Sequence, residues 1–205
     1  ICGHYEGVDH RVEEYLAEVG QRLTSSGTTQ NSNCQFFVLK DSTINAFAMP
    51  GGVIGIHTGL ITTTETESEL ASVMAHEVGH VEQPHLARML SRQGKTPALV
   101  LASLLVAVLA GHSNANAAGA VLASGQAAAI QNQLGYSRDY EREADRVGLQ
   151  ILAAAGFNPQ AMPDFFQRMF QQTRMLENNA PTYLRTHPLT QDRISDIEGR
   201  VRQIG

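Results

Sequence analysis

The feature that most constrains how this chain can fold is the run His76-Glu77-Val78-Gly79-His80, which lies in an apolar stretch with helical spacing. Residues four apart on an α-helix share a face, so His76 and His80 can bind one ion with Glu77 beside it. Zn²⁺ accepts imidazole nitrogens, and a catalytic zinc site needs three protein ligands and one position for water. The run therefore predicts two metal ligands and a general base.

The surroundings of this run matter, because such a pattern also arises by chance in on the order of one chain in a hundred of this length. Thr66-Glu67-Ser68-Glu69 predicts a capping box at the start of the helix. Gly79 inside a helix costs about 1 kcal/mol relative to alanine, which indicates that another element packs closely there. The context favours a buried helix that carries a metal site.

Three short strands are predicted ahead of this helix. The segments Cys34–Lys40, Ile44–Met49 and Val53–His57 are rich in aromatic and β-branched residues. Pro50-Gly51-Gly52 predicts a tight hairpin between the last two strands. We therefore expect a small antiparallel sheet directly before the motif helix.

The other periodic segments predict helices over residues 9–23, from residue 136 to the Gly156-Phe157 pair, over 160–176, and after Thr190. With 205 residues, 42% of them hydrophobic, the chain has enough apolar material for one core. We predict a single domain over residues 1–205, of the α+β class and mostly helical. The net charge of −5, without a basic block, argues against a nucleic-acid partner.

An apolar segment follows the motif helix. Residues 98–110 contain one polar side chain, Ser103, and an Ala-rich stretch continues to about residue 130. Its thirteen residues fall short of the roughly 20 that a helix needs to cross a bilayer. We expect a helical insertion over 98–130 that is buried or acts as a lid, with contact to a membrane surface as the alternative.

The third metal ligand has two interpretations on the residues alone. Glu141 and Asp145 lie four apart, close to the apolar stripe of a predicted helix. An unpaired carboxylate is costly to bury and metal coordination removes that cost, which favours Glu141 as a ligand with Asp145 accepting a ring N–H from a ligand histidine. In the other interpretation, both carboxylates pair with Arg138, Arg142 or Arg146 on a solvated face. Spacing alone does not separate the two.

Taken together, the motifs resemble the M48 family of zinc metallopeptidases over most of the chain. The family pattern is a strand similar to Asn45-Ala46-Phe47-Ala48, a His-Glu-x-x-His helix, a Glu-x-x-Ala-Asp helix and a late His-Pro. This chain has these elements in the same order at 45–48, 76–80, 141–145 and 187–188. The resemblance implies a zincin-type fold and zinc-dependent endopeptidase activity.

The resemblance also implies roles for individual residues. His76, His80 and Glu141 would hold one zinc ion, and Asp145 would orient a ligand histidine. Glu77 would act as the general base on a water molecule. His187, which by itself reads as a structural histidine before proline, would either stabilise the oxyanion or take the open position as a fourth ligand.

The soluble cell-envelope branch of the family is the most similar, which implies a bacterial periplasmic or envelope location and unfolded or misassembled envelope proteins as substrates. Peripheral contact with a membrane or an envelope assembly is an implied partner interaction. An extended polypeptide substrate would add a strand beside Asn45, Ala46, Phe47 and Ala48. The alternative is a chaperone-like or scaffold protein that binds clients at this strand while His187 closes the zinc site.

Overall fold

Residues 9–26, 34–49, 51–83, 138–175 and 181–204 are described by a computed structural model. In chain order they form α1 (His10–Ser26), β1 (Gln35–Leu39), β2 (Ala46–Met49), β3 (Val53–His57), α2 (Thr58–Thr63), α3 (Glu67–Glu82), α4 (Arg138–Ala154), α5 (Ala161–Met175), α6 (Thr182–Thr186) and α7 (Gln191–Ile204). The mostly helical α+β class is thereby confirmed. The predicted insertion over 98–130 lies outside the described residues.

The motif helix α3 is the centre of the fold, since every residue from Glu69 to His80 is buried. Its start is fixed as predicted, because the Thr66 hydroxyl accepts the backbone N–H of Glu69 at 3.2 Å. The Glu69 carboxylate in turn accepts the backbone N–H of Glu65 at 2.7 Å. Arg168 of α5 donates to both oxygens of this carboxylate at 2.7 Å, which ties α5 to the beginning of α3.

The sheet has the strand order β1-β3-β2, and the predicted hairpin is confirmed, with β2 and β3 antiparallel. Gly51 and Gly52 of its turn have φ values of 86° and 82°, which side-chain-bearing residues adopt only with strain. The expectation of a wholly antiparallel sheet is wrong, because β1 pairs with β3 in parallel. All five residues of β3 are buried, which suits the central position, whereas β1 exposes Gln35.

A segment that crosses the sheet makes this parallel pairing geometrically feasible. Residues 40–45 carry the chain from β1 past β3 to β2, and hydrogen bonds to Asp41 hold this segment in place. The carbonyl oxygen of Asp41 accepts from the Thr58 hydroxyl and from the backbone N–H of Gly59, both at 2.8 Å. The crossing segment is therefore fixed against the start of α2.

The core lies between the sheet and α3 and continues among the later helices. The largest side chains that it buries completely include Leu16, Leu23, Ile54, Met74 and Phe165. Across the described residues, no helix combines the length and apolar character that a membrane span requires. The packing of α3 against α4, α5 and β2 positions the polar residues described next.

Candidate metal centre

Helices α3 and α4 cross at a point where each carries a glycine. A Cβ atom at Gly79 would lie 2.8 Å from the carbonyl oxygen of Ala144, and one at Gly148 would lie 2.9 Å from the carbonyl oxygen of Ala75. Either contact would force the backbone to shift, so this close approach requires glycine on both helices. The close packing predicted at Gly79 is thus confirmed, and it brings the polar face of α3 against α4.

Four buried side chains bring one potential ligand atom each to a common point. They belong to His76, His80, Glu141 and His187, and these atoms all lie within 4.8 Å of one another. The Nε2 atoms of His76 and His80 are 3.0 Å apart, and Nε2 of His80 is 3.2 Å from Oε1 of Glu141. The Nδ1 atom of His187 lies 3.3 Å from Nε2 of His76.

These separations fit a small cation. Neighbouring ligand atoms on a tetrahedral zinc ion, each at about 2.0–2.1 Å from the metal, stand roughly 3.3 Å from one another. Three imidazoles and a carboxylate form a donor set of the kind that zinc prefers. The sequence-predicted ligands His76, His80 and Glu141 are therefore together, and His187 lies among them rather than beyond them.

Asp145, which was predicted to orient a ligand histidine, lies beside His76. Its Oδ1 atom is 2.9 Å from Nδ1 of His76, so the carboxylate fixes the ring whose other nitrogen faces the ligand cluster. The interpretation in which Glu141 and Asp145 face solvent is wrong. Both carboxylates are buried, whereas Arg138 and Arg142, on the same helix, are exposed.

Arg193 of α7 is the cation that these carboxylates face instead, and the sequence analysis did not assign it a role. Its Nε and Nη2 atoms donate to the two oxygens of Asp145 at 2.7 Å, and its Nη1 atom lies 2.8 Å from Oε2 of Glu141. Nη1 also donates to the carbonyl oxygen of Pro188 at 2.8 Å, next to His187. The signal available in the sequence was an arginine directly beside Ile194, an apolar residue of the predicted last helix.

The charges within the cluster shift its pKa values in different directions. Burial lowers the pKa of His76, but hydrogen bonds with Asp145 and Glu141 outweigh it and raise that pKa to about 9. Burial lowers the pKa of His80 well below its ordinary value, against the attraction of Glu141. Burial would raise the pKa of Glu141, but His187 and Arg193 hold it well below its usual range. Glu141 is therefore an ionised carboxylate at neutral pH, as a metal ligand would need to be.

Glu77 is wholly buried beside the ligand atoms, with its Oε1 atom 3.5 Å from Nε2 of His187. Burial raises the pKa of the Glu77 carboxyl, and the backbone of Ala48 acts in the opposite direction. A carboxyl whose pKa is raised toward neutrality can accept and return a proton more readily than an exposed one. Glu77 thus has the environment of a general base.

The predicted substrate strand lies next to Glu77. The backbone N–H of His57 donates to the carbonyl oxygen of Asn45 at 3.0 Å, so hydrogen bonds to β3 are made by alternate residues from Asn45 onward. Ala46 and Ala48 therefore direct their backbone N–H and C=O groups to the outer side of β2. Against the effect of burial, the outward-facing backbone of Ala48 is the group that lowers the pKa of Glu77 by hydrogen bonding.

Tyr183 of α6 is a second residue that the sequence analysis missed. Its ring stacks on that of His187, with 4.6 Å between the centroids and 22° between the planes. The backbone N–H of Tyr183 donates to the carbonyl oxygen of Ile44 at 3.1 Å, just before β2. Its position four residues before His187, on the same face of a helical turn, was the signal available in the sequence.

Known proteins are similar in sequence to this chain over nearly its whole length. The chain is 43% identical over 199 residues to the putative beta-barrel assembly-enhancing protease of Vibrio cholerae serotype O1, covering 95% of this chain and 40% of that relative. It is 36% identical over 196 residues to the beta-barrel assembly-enhancing protease of Escherichia coli K12, covering 96% and 40%. It thus spans about 40% of the length of these relatives.

A more distant relative is also named as an endopeptidase. The chain is 28% identical over 193 residues to the mitochondrial metalloendopeptidase OMA1 of Schizosaccharomyces pombe, covering 92% of this chain and 53% of that protein. Residues 10–201 match the sequence profile described as peptidase family M48, a stretch that runs from α1 into α7 and contains every residue of the cluster. By this match, the chain belongs to peptidase family M48.

Proposed function

We propose that this chain is a zinc-dependent endopeptidase domain in which His76, His80 and Glu141 hold one zinc ion and Glu77 is the general base. The observation that carries the proposal is the buried convergence of these ligand atoms with the Glu77 carboxylate beside them. Membership of a peptidase family and relatives named as proteases support the same reaction class.

The chain's own residues account for the proton transfers of peptide hydrolysis. A zinc ion at this cluster would lower the pKa of a water molecule and polarise the substrate carbonyl. Glu77 accepts the proton that the attacking water loses and then donates it to the departing amine. Asp145 keeps the His76 ring in one orientation, and Arg193 keeps Asp145 and Glu141 ionised.

His187 has two roles in the sequence analysis, and its position supports the role of fourth ligand. Its Nδ1 atom is 3.1 Å from Oε1 of Glu141, among the other ligand atoms. In this conformation His187 occupies the place that a substrate carbonyl or water needs, so it must move for hydrolysis to occur. This position also favours the second candidate function, a client-binding protein with its zinc site closed.

We propose extended polypeptides as substrates, bound along the outer side of β2. Asn45 and Phe47 have buried side chains, so recognition would rest on the backbone groups of Ala46 and Ala48 and demand little of the substrate sequence. The names of the bacterial relatives support unfolded or misassembled envelope proteins as substrates, contact with an envelope assembly and a periplasmic location.

The substitution Glu77→Gln tests the reaction. With zinc content per chain unchanged, casein cleavage should fall by at least about 10²-fold, because the proton acceptor is lost. Glu67→Gln, in the exposed first turn of the same helix, is the matched control and should cleave at the wild-type rate. Cleavage that survives in zinc-loaded Glu77→Gln refutes the proposal. A zinc-loaded wild type that suppresses client aggregation without cleaving supports the binding protein.

Substrate pairing with β2 can be tested with a peptide series in which single backbone nitrogens are methylated. Successive residues of an added strand point their N–H groups alternately toward and away from β2. KM should therefore rise at every second position around the cleaved bond and stay unchanged at the positions between. A profile without this alternation would rule out strand addition at Ala46 and Ala48.

A further inference from the structure

The hydroxyl group of Tyr183 is a buried polar group for which the described residues provide no partner. The side chain is 1% exposed, and its oxygen makes no hydrogen bond with the part of the chain that the structure describes. Buried polar side-chain atoms are nearly always paired in folded proteins, because leaving one unpaired costs free energy. An unpaired hydroxyl next to a reaction centre is therefore a candidate for contact with a ligand.

The surroundings of Tyr183 place it between the ligand cluster and the substrate strand. Its ring stacks on His187 at 4.6 Å and meets the His76 ring edge-on, with centroids 6.3 Å apart. Its backbone N–H is bonded to Ile44, the residue before Asn45. The ring thus borders the cluster where hydrolysis would take place, and the backbone of the same residue is bonded next to the strand along which a substrate would lie.

The hydroxyl of a tyrosine carries a proton at physiological pH. Burial raises the pKa of Tyr183 well above its ordinary value, and the negative charges of Glu77 and Glu141 raise it further. A tyrosine hydroxyl has an ordinary pKa of about 10, so it is a neutral hydrogen-bond donor at physiological pH. Glu77 is the charged group with the largest effect, which agrees with the location of the tyrosine beside the general base.

We propose that the Tyr183 hydroxyl donates a hydrogen bond to the carbonyl oxygen of the peptide bond being cleaved, as negative charge develops on that oxygen. The inference rests on the proposed peptidase function and names a further catalytic residue for it. His187 was one candidate for this role, but its ring lies among the metal ligands. No covalent bond forms to Tyr183, and the hydroxyl keeps its proton through the reaction.

The stacking contacts of Tyr183 involve the ring and not the oxygen, so the two contributions can be separated. Tyr183→Phe retains the ring that packs on His187 and removes the donor alone. Tyr15→Phe makes the same chemical change at an exposed hydroxyl of α1, which bonds to Glu67 at 3.3 Å, and is the matched control. Both variants are measured in the 205-residue chain with zinc content determined.

For Tyr183→Phe, kcat on a quenched fluorescent peptide should fall by about 10- to 100-fold while KM stays within about twofold, as expected for a donor used mainly in the transition state. The melting temperature after chelation should be unchanged or higher, because an unsatisfied hydroxyl has been removed. Tyr15→Phe should keep the wild-type kcat. A kcat within twofold of wild type for Tyr183→Phe overturns the proposal, as does loss of zinc or a lower melting temperature.

A binding measurement provides a readout that a packing role would not change. A phosphinic peptide carries a tetrahedral, negatively charged group in place of the cleaved bond, and its Ki should rise by the factor by which kcat/KM falls. An unchanged Ki overturns the proposal even if kcat is reduced. Normal catalysis by Tyr183→Phe together with inactive Glu77→Gln would refute the tyrosine alone, whereas active Glu77→Gln would refute the peptidase function itself.

Discussion

His57 and His76 are both buried and both face a carboxylate, yet their pKa values are shifted in opposite directions. For His57, burial lowers the pKa, and Asp41, 3.7 Å away, is too weak to reverse the shift. For His76, burial also lowers the pKa, but bonds with Asp145 and Glu141 raise it to about 9. The two contacts differ in length, 3.7 Å for Asp41 and 2.9 Å for Asp145, and in the surroundings of the carboxylate.

The side chain of Asp41 is 47% exposed, whereas that of Asp145 is 1% exposed. Water screens the charge of Asp41, whose Oδ1 atom also accepts the backbone N–H of Thr43 at 2.8 Å. Asp145 is desolvated and held by two bonds from Arg193. In this protein the stronger histidine–carboxylate contact is the shorter one, whose carboxylate Arg193 fixes away from water.

Arg193 holds the carboxylate beside His76, so its removal should have the largest effect on stability. Arg193→Ala leaves the charges of Glu141 and Asp145 buried without their cation, which costs roughly 3–5 kcal/mol. Urea unfolding of the chelated protein measures this loss, and bound zinc should reduce it. Arg200→Ala, on the same helix, removes a half-exposed pair with Asp196 and should cost less than about 1 kcal/mol. If the two variants lost the same free energy of unfolding, the distinction between the buried and the half-exposed arginine would be contradicted.

Zinc affinity provides a direct comparison of the roles of Asp145 and Asp41. Asp145→Asn removes the charged acceptor behind His76, and zinc affinity should fall by about 10- to 100-fold in competition with a chelating dye. Asp41→Asn, the equivalent change beside His57, should leave zinc affinity at the wild-type value. If both substitutions weaken zinc binding alike, the distinction between the two pairs is lost.

The smallest effect concerns acid stability at His57. Its pKa is lowered in the folded state, so below the ordinary value of 6.5 the unfolded chain binds the proton more readily. The stability is therefore complete above about pH 6.5 and decreases as pH falls below it, by at most about 1.4 kcal/mol per pH unit for one proton. The urea midpoint of His57→Gln should change less between pH 7 and pH 5.5 than that of the wild type. An equally steep decrease in that variant would assign the acid sensitivity to other groups.

Local features of this molecule were predictable from the sequence. The Thr66 cap, the helical pairing of His76 with His80 and the glycine turn before β3 each depend on residues within four positions of one another. The family pattern then identified Glu141 and His187 as members of the cluster, and the structure places both beside the two histidines.

The remaining features depend on distant parts of the chain. Arg193 lies 48 residues after Asp145, and His187 lies 111 residues after His76, so helical periodicity does not reveal these contacts. The parallel pairing of β1 with β3 depends on residues 40–45 carrying the chain past β3 to β2, which the hairpin signal does not show. Solvent exposure, which distinguishes Asp41 from Asp145, is likewise a product of tertiary packing.

The glycine contact between α3 and α4 has a consequence for protein design. Grafting the ligand residues onto another pair of helices would reproduce the side chains without the spacing that brings them together. A designed host would also need residues equivalent to Gly79 and Gly148, since a single added methyl group at either would meet backbone at less than 3 Å. The smallest transferable unit of this site is therefore the ligands together with two residues that have no side chain.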